Sequence, residues 1–124
     1  MIARRVILSA MALLPWAGLL RAGAENEDRT MYGLIGKFTA ADGKRDALMG
    51  YLIEGSKDMP GNHSYVVAGD ASDAVTIWVT EVWDSPEAHM ASLKLEHVQA
   101  AISKARPLIA GMERVAETAV AGMA

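Results

Sequence analysis

The segment that decides the fold runs from residue 75 to residue 97 and reads VTIWVTEVWDSPEAHMASLKLEH. Residues 75–83 alternate with a period of two, which is the pattern of a β-strand. A helix then begins, because Ser85 is a preferred N-cap, Pro86 suits the first helical position, and Glu87 suits the first turn. Two of the three Trp and two of the three His fall in this segment. We therefore expect a functional site near this strand-to-helix corner.

The remaining periodic segments complete one α+β domain. The expected elements are a strand at 31–39, a helix at 43–57 with Asp42 as its N-cap, a strand at 63–68, the strand at 75–83, a helical segment at 86–106 with a break near 93–95, and a strand at 112–120. This β-α-β-β-α-β order is the split βαβ, or ferredoxin-like, arrangement. Two helices then cover one face of a four-stranded antiparallel sheet. The other face carries Val and Trp and is uncovered within one chain, which predicts a twofold homodimer.

The first 24 residues have the features of an export signal. Arg4 and Arg5 precede an apolar run at 6–20, and Ala22-Gly23-Ala24 is a small-x-small cleavage site. We expect cleavage and a periplasmic or secreted protein, with residues 25–30 as a linker, 31–120 as the domain and 121–124 as a tail. An uncleaved N-terminal membrane anchor is the alternative. The paired arginines leave both twin-arginine and ordinary secretory export open.

Composition excludes several classes of function. Removing the signal leaves nine basic residues against 15 acidic ones, a net charge of −6, whereas nucleic-acid binding requires a basic surface. The chain has no Cys, which excludes disulfides, thiolate metal sites and a Cys nucleophile. Gly33 and Gly36 lie within a strand and open no helix, so no phosphate-binding loop is predicted.

The motifs in this chain resemble those of the antibiotic biosynthesis monooxygenase domain family. The segments that carry the likeness are 81–89 (EVWDSPEAH), Ser92-Leu93 and 105–109 (ARPLI); 31–37 (MYGLIGK) and 59–61 (MPG) look like its small quinol monooxygenase subgroup. The likeness covers about residues 31–120. It implies a dimeric α+β barrel with a pocket between sheet and helices in each subunit. It also implies oxidation of a phenol or hydroquinone by O2 without a metal, flavin or other cofactor.

Trp83 and His89 are the first candidates for the site that the resemblance implies. Trp83 would stack on a planar aromatic substrate, and the alternative is that it only packs the corner between sheet and helix. His89 would move a phenolic proton near neutral pH, and the alternative is a partly exposed helix residue.

Three further residues are expected to bind substrate. Glu81 is an acid on an otherwise apolar strand face; it would orient His89 or form an ion pair with Arg114 or Lys37. Tyr51 would line the pocket from the first helix, although its position also suits the core. Trp78 lies on the other strand face, where a dimer interface or core position is the alternative.

No metal site is predicted, because a spacing of eight residues does not bring His89 and His97 together on a helix. Two other functions remain open. One is a non-catalytic, dimeric small-molecule-binding or stress-related module of the same fold. The other is haem degradation, which such relatives perform with a His about ten residues after the Trp and an Asn on the first strand. Here Leu93 follows Trp83 by ten, and residues 31–39 contain no Asn.

Overall fold

The computed structural model describes residues 30–124, so the predicted signal at 1–24 and nearly all of the linker lie outside the described residues. The elements are strand β1 (Met31–Ala40), helix α1 (Arg45–Gly55), strands β2 (Asn62–Gly69) and β3 (Thr76–Trp83), helices α2 (Pro86–Ser92) and α3 (Glu96–Ala105), a 3-10 helix (Arg106–Leu108) and strand β4 (Ile109–Val120). The predicted ferredoxin-like order is confirmed, with the second helical segment broken where expected. None of the helices within 30–124 has the length and apolar character that crossing a membrane requires.

The sheet is antiparallel with strand order β2-β3-β1-β4. Its register sets which side chains lie side by side on the face toward the helices. One row runs Tyr65, Glu81, Leu34, Glu117 across the four strands. The next row toward the other end of the sheet includes Val79, Gly36 and Arg114. Ionisable side chains therefore lie on the covered face as well as on the outer surface.

Apolar side chains from the sheet and from α1 and α3 form the core. Two clusters of buried residues share it; the first contains Ala40, Leu48, Ile77, Val79 and Ala105, and the second Met59, Trp83 and Val98. Burial of one such large apolar side chain stabilises the fold by about 1.5–3 kcal/mol. The first cluster lies under one end of the sheet, and Trp83 anchors the second near the end of β3.

Helix α1 begins later than predicted, and Asp42 does not cap it. The N-cap residue is Lys44, and no side chain accepts a hydrogen bond there. The cause is a tight turn in which the Lys44 amide donates to the carbonyl of Ala41 at 2.9 Å, with Gly43 at φ +73°. A left-handed residue belongs to a turn and not to a helix, so Gly43 keeps Asp42 away from the first helical amides.

Helix α2 begins as predicted. The Ser85 side chain accepts a hydrogen bond from the Ala88 amide at 3.1 Å, and Pro86 occupies the first helical position. The preceding residue, Asp84, donates its amide to the carbonyl of Gly61 at 2.8 Å. His63 and Asp84 are also joined, with His63 Nε2 at 2.5 Å from Asp84 Oδ1. These contacts tie the start of β2 to the end of β3 and fix the direction in which α2 leaves the sheet.

Candidate functional site

A cavity of about 460 Å3 lies between the sheet and the helices. Its wall is mostly apolar and includes residues from every strand and helix. The lining residues are Leu34, Gly36, Phe38, Tyr51, Leu52, Gly55, Ser56, Met59, Tyr65, Glu81, Trp83, His89, Ser92, Leu93, Val98, Ala101, Ile102, Ala105, Arg106, Ile109, Met112, Glu113 and Arg114. A volume of this size with a few polar groups is typical of small-molecule sites.

Gly36 leaves open space at the sheet wall of the cavity. A Cβ atom built on Gly36 would meet only the carbonyl of Glu113, at 3.8 Å, which is ordinary contact. Its cross-strand neighbours are Val79 and Arg114, which carry full side chains. The missing side chain therefore contributes directly to the volume available for a ligand.

Glu81 and Trp83 are held together at the end of β3. They are two residues apart, so their side chains project from the same face of the strand. The indole Nε1–H of Trp83 donates to Glu81 Oε1 at 2.9 Å, and the two residues are only 1% and 9% exposed. This buried hydrogen bond fixes the plane of the indole at the cavity wall. Trp83 is therefore both a core residue and a wall of the cavity.

Burial raises the pKa of the Glu81 carboxyl above its usual value, because a charge is poorly solvated there. The hydrogen bond from Trp83 and the charge of Arg114 oppose this change. The predicted ion pair between Glu81 and Arg114 or Lys37 is not formed. Arg114 pairs with Glu117 at 3.2 Å, and Lys37 lies on the opposite face of the sheet, over the ring of Trp78.

The His89 side chain, which comes from α2, lies beside Trp83 and Glu81. Its ring meets the Trp83 ring edge to face, with centroids 5.4 Å apart, and lies 6.3 Å from the Tyr32 ring. Only 9% of the residue is exposed, so the alternative of a partly exposed helix histidine is wrong. Burial lowers the pKa of His89, and the charge of Arg114 lowers it further, while Glu117 acts in the opposite direction.

The contact between His89 and Glu81 is electrostatic and not a hydrogen bond. His89 Nε2 lies 3.8 Å from Glu81 Oε1, beyond hydrogen-bonding distance. Burial shifts the pKa of each group toward its neutral form, which opposes an ion pair between them. An uncharged imidazole can accept a proton from a ligand, and the adjacent Glu81 would stabilise the resulting imidazolium.

Two tyrosines add hydroxyl groups to the cavity wall. Tyr51 lines the cavity from α1, as predicted, with the ammonium of Lys104 5.9 Å from its ring. Tyr65 was not predicted from the sequence; burial, and secondarily the charge of Glu81, raise its pKa. Within residues 30–124, neither hydroxyl has a protein hydrogen-bond partner. Alternation along β2 does not say which face of the sheet Tyr65 occupies. The pairing of Tyr65 with Glu81 places it on the cavity face, and that pairing cannot be read from the sequence.

The structure does not bring Trp78 to the cavity. Its side chain lies on the opposite face of the sheet, where its indole donates to Asp70 Oδ1 at 2.8 Å. The histidines at 63 and 97 are also outside the cavity lining; His97 Nε2 contacts the carbonyl of Lys57 at 2.5 Å. Of the five predicted site residues, four therefore line one cavity: Tyr51, Glu81, Trp83 and His89.

The fold and cavity define a ferredoxin-like α+β domain with a mostly apolar pocket suited to a small molecule. The family model described as "Antibiotic biosynthesis monooxygenase" matches residues 31–104, and the chain belongs to this family. No curated protein matches the chain.

Solved structures give the same assignment. A protein from Chloroflexus aurantiacus J-10-fl whose name carries the same family description is 57% identical, with a TM-score of 0.73 over 76% of this chain and 96% of that one. Proteins of the same description from Nitrosomonas europaea and Caulobacter crescentus CB15 share the fold at 16% and 15% identity, with TM-scores of 0.67 and 0.65. They cover 73% and 82% of this chain, and 90% and 99% of their own lengths.

Proposed function

We propose that this protein is a cofactor-independent monooxygenase that oxidises a hydroquinone or phenol with O2. The observation that carries the proposal is the buried group of Glu81, Trp83 and His89 at the wall of an apolar cavity. An aromatic ring fits such a wall, and a neutral imidazole beside it can take a phenolic proton. Membership of the monooxygenase family supports the same reaction class.

The reaction is a four-electron oxidation. A hydroquinone and O2 give a hydroxyquinone and water, so one oxygen atom enters the ring and the other leaves as water with two hydrogens from the substrate. His89 takes the phenolic proton, and the electron-rich anion then passes an electron to O2. The new C–O bond forms when the two radicals combine, and cleavage of the O–O bond releases the second oxygen.

The protein's part in this reaction is to position the ring, favour its anion and exclude water. Trp83 supports the apolar wall from within the core, in an orientation that Glu81 fixes. His89 accepts the proton, and Glu81 stabilises the imidazolium. Tyr51 and Tyr65 supply hydroxyl groups that can hold the second oxygen of the substrate.

The proposal includes a homodimer formed through the outer face of the sheet. This face carries Ile35, Val66 and Trp78, and Val66 is 52% exposed in the single chain. An exposed apolar sheet face of this kind is typical of an interaction surface. Val66→Lys should convert a dimer to a monomer in analytical ultracentrifugation, whereas Ile53→Lys, an equally exposed apolar position on α1, should not. A wild-type monomer at micromolar concentration would contradict the dimer.

Export is also part of the proposal, with residues 1–24 as the signal that directs the protein to the periplasm or outside the cell. The supporting features are the arginines and apolar run of the sequence itself. Fractionation of cells that produce the full chain, with N-terminal sequencing of the product, tests it. Full-length protein in the cytoplasm would contradict export.

The experiment that tests the function is O2 consumption by purified protein with a panel of reduced naphthoquinones and benzoquinones. We expect faster O2 consumption than in buffer, no product under anaerobic conditions, and the same rate after treatment with EDTA. His89→Gln should lower the rate by about 10²–10⁴-fold, the usual contribution of a general base. Absence of acceleration for every compound, or complete loss with EDTA, would overturn the proposal.

Binding without turnover is the second candidate function. It is favoured by the wall of the cavity, which is mostly apolar and offers few reactive groups. It predicts that aromatic ligands raise the melting temperature without O2 consumption, and that His89→Ala leaves their affinity nearly unchanged.

A further inference from the structure

Two arginines, both exposed to solvent, line the cavity although the proposed chemistry does not use them. Arg106 is in the 3-10 helix that follows α3, and Arg114 is in β4. The remaining ionisable groups of the wall, apart from the tyrosines, are Glu81, His89 and Glu113. Burial favours the uncharged forms of Glu81 and His89. The lining therefore holds two arginines and two acids, Glu81 and Glu113, and burial shifts Glu81 toward its neutral form.

Arg114 is held in place and still has donors to spare. Its Nη1 lies 3.2 Å from Glu117 Oε2, and the same oxygen accepts a hydrogen bond from the Tyr32 hydroxyl at 2.6 Å. A guanidinium has five N–H donors, and this contact occupies one nitrogen. The charge of Arg114 also acts into the cavity, because it lowers the pKa of both Glu81 and His89. An anion inside the cavity would be stabilised by the same charge.

Arg106 has no such partner. Within the part of the chain that the structure describes, no hydrogen bond or ion pair holds its guanidinium. It comes from a different element of the cavity lining than Arg114 does. Arginine binds carboxylates through paired N–H donors, which makes it suitable for recognition of a planar anionic group.

We propose that the cavity selects an aromatic acid: a ring that carries a carboxylate, or a comparable anionic group, held by Arg114 and Arg106. The ring then lies in the apolar part of the cavity, with its phenolic oxygen toward His89. This inference depends on the proposed function only in one respect: both take the same cavity as the substrate site. It specifies a substrate class for that site: a hydroquinone that carries a carboxylate should bind more tightly than its neutral counterpart.

The cavity can be tested with probes that O2 does not oxidise. The two probes are 2-naphthoate and its uncharged counterpart 2-naphthamide, which match in ring size and differ in the anionic group. Calorimetric titration of the wild type should give at least about tenfold tighter binding of 2-naphthoate, since hydrogen bonds to charged groups are the stronger kind. The advantage should diminish from low to physiological ionic strength, because the arginines are exposed to solvent.

Variants identify the groups responsible. Arg106→Met and Arg114→Met, separately and together, should reduce the preference for 2-naphthoate, and the double variant should bind the two probes about equally. Lys44→Met removes one exposed cation at the start of α1, outside the lining, and should keep the wild-type preference. Gly36→Leu fills the cavity and should abolish binding of both probes, which separates a cavity site from a surface site.

Equal affinity of the wild type for the two probes, no binding of 2-naphthoate, or a preference that survives the double substitution would each overturn the inference. Circular dichroism and melting of each variant establish that it is folded before titration. Because neither probe is a substrate, failure here leaves O2 consumption with hydroquinones intact. Conversely, selective binding without any O2 consumption would overturn the proposed function alone.

Discussion

The rings of Trp83 and His89 meet edge to face, with centroids 5.4 Å apart and planes inclined at 71°. One residue ends β3 and the other lies in the first turns of α2. The Ser85 cap fixes where α2 begins, so the short connection sets both the distance and the angle. Glu81 lies beside both rings, hydrogen-bonded to the indole and 3.8 Å from the imidazole.

The hydrogen bond between Trp83 and Glu81 predicts a measurable coupling between the two side chains. Trp83→Phe leaves a buried carboxyl without its donor, which should cost about 1–3 kcal/mol beyond the loss of ring area. In a protein that already carries Glu81→Leu, no carboxyl loses its donor. Trp83→Phe should therefore cost about 1–3 kcal/mol less there than in the wild type. Urea denaturation of the four proteins measures the free energies of unfolding. Strictly additive effects would contradict the coupling.

The lowered pKa of His89 predicts acid sensitivity of the fold. The unfolded chain takes up the proton near the usual pKa of 6.5, while the folded chain resists it, so stability should decrease as the pH falls from 6.5 through the lower folded pKa. His89→Gln should remove this component of the pH dependence. His97→Gln, at an exposed histidine outside the cavity, is the matched control and should retain it. Urea denaturation across the pH range makes the comparison.

Glu81 contributes in the opposite direction. Its folded pKa is raised, so its contribution to stability is fully present below the unfolded value of about 4.5 and is lost as the pH rises through the folded pKa. Glu81→Gln should therefore gain stability relative to the wild type as the pH rises through that window. A difference between the two proteins that does not change with pH would contradict the burial of this carboxyl.

The sequence predicts the fold well because each element carries local signals. Alternation marks β3, Ser85 and Pro86 mark α2, and both are where they were expected. The start of α1 was predicted wrongly because Asp42 is a good N-cap by type, whereas Gly43 at φ +73° turns the chain before the helix begins. The residue types correctly indicated that a helix begins near here, and the turn at Gly43 determined the residue at which it begins.

Space left by Gly36 predicts a variant that blocks the cavity without unfolding the protein. Gly36→Leu should keep or slightly raise the free energy of unfolding, because a glycine within a strand costs about 0.5–1 kcal/mol relative to alanine and its Cβ position is open. It should abolish both ligand binding and O2 consumption. Gly50→Leu, at an exposed and open position of α1, should leave both unchanged. Normal activity of Gly36→Leu would place the site elsewhere.

Two glycines in α1 should respond oppositely to the same substitution. Gly50→Ala should stabilise the protein by about 0.5–1 kcal/mol, since its Cβ position is open and alanine favours the helix. Gly55→Ala should destabilise it by about 1–3 kcal/mol, because its Cβ would lie 2.5 Å from that of Ala101 on α3. Adding Ala101→Gly to Gly55→Ala should restore stability. Thermal melting measures all four proteins, and equal effects at the two glycines would contradict the close helix contact.

The candidate site was only partly predictable. Trp83 and His89 share one short segment, so their proximity follows from local structure. Tyr65 and the two arginines reach the cavity through strand pairing and the turn after α3, which depend on contacts between distant parts of the chain. Trp78 was included because both faces of β3 are bulky; the register shows that only the face with Glu81 and Trp83 meets the helices.

The central claim is that this cavity catalyses insertion of one atom of O2 into an aromatic ring. The most direct measurement is a reaction under 18O2 with reduced 1,4-naphthoquinone, or with a carboxylated hydroquinone, followed by mass spectrometry of the product and of the water formed. We predict one 18O atom in each product molecule and one in water, with both signals lost in His89→Gln and Gly36→Leu. Unlabelled quinone with hydrogen peroxide formed in equal amount would contradict the claim, because the protein would then be at most an oxidase.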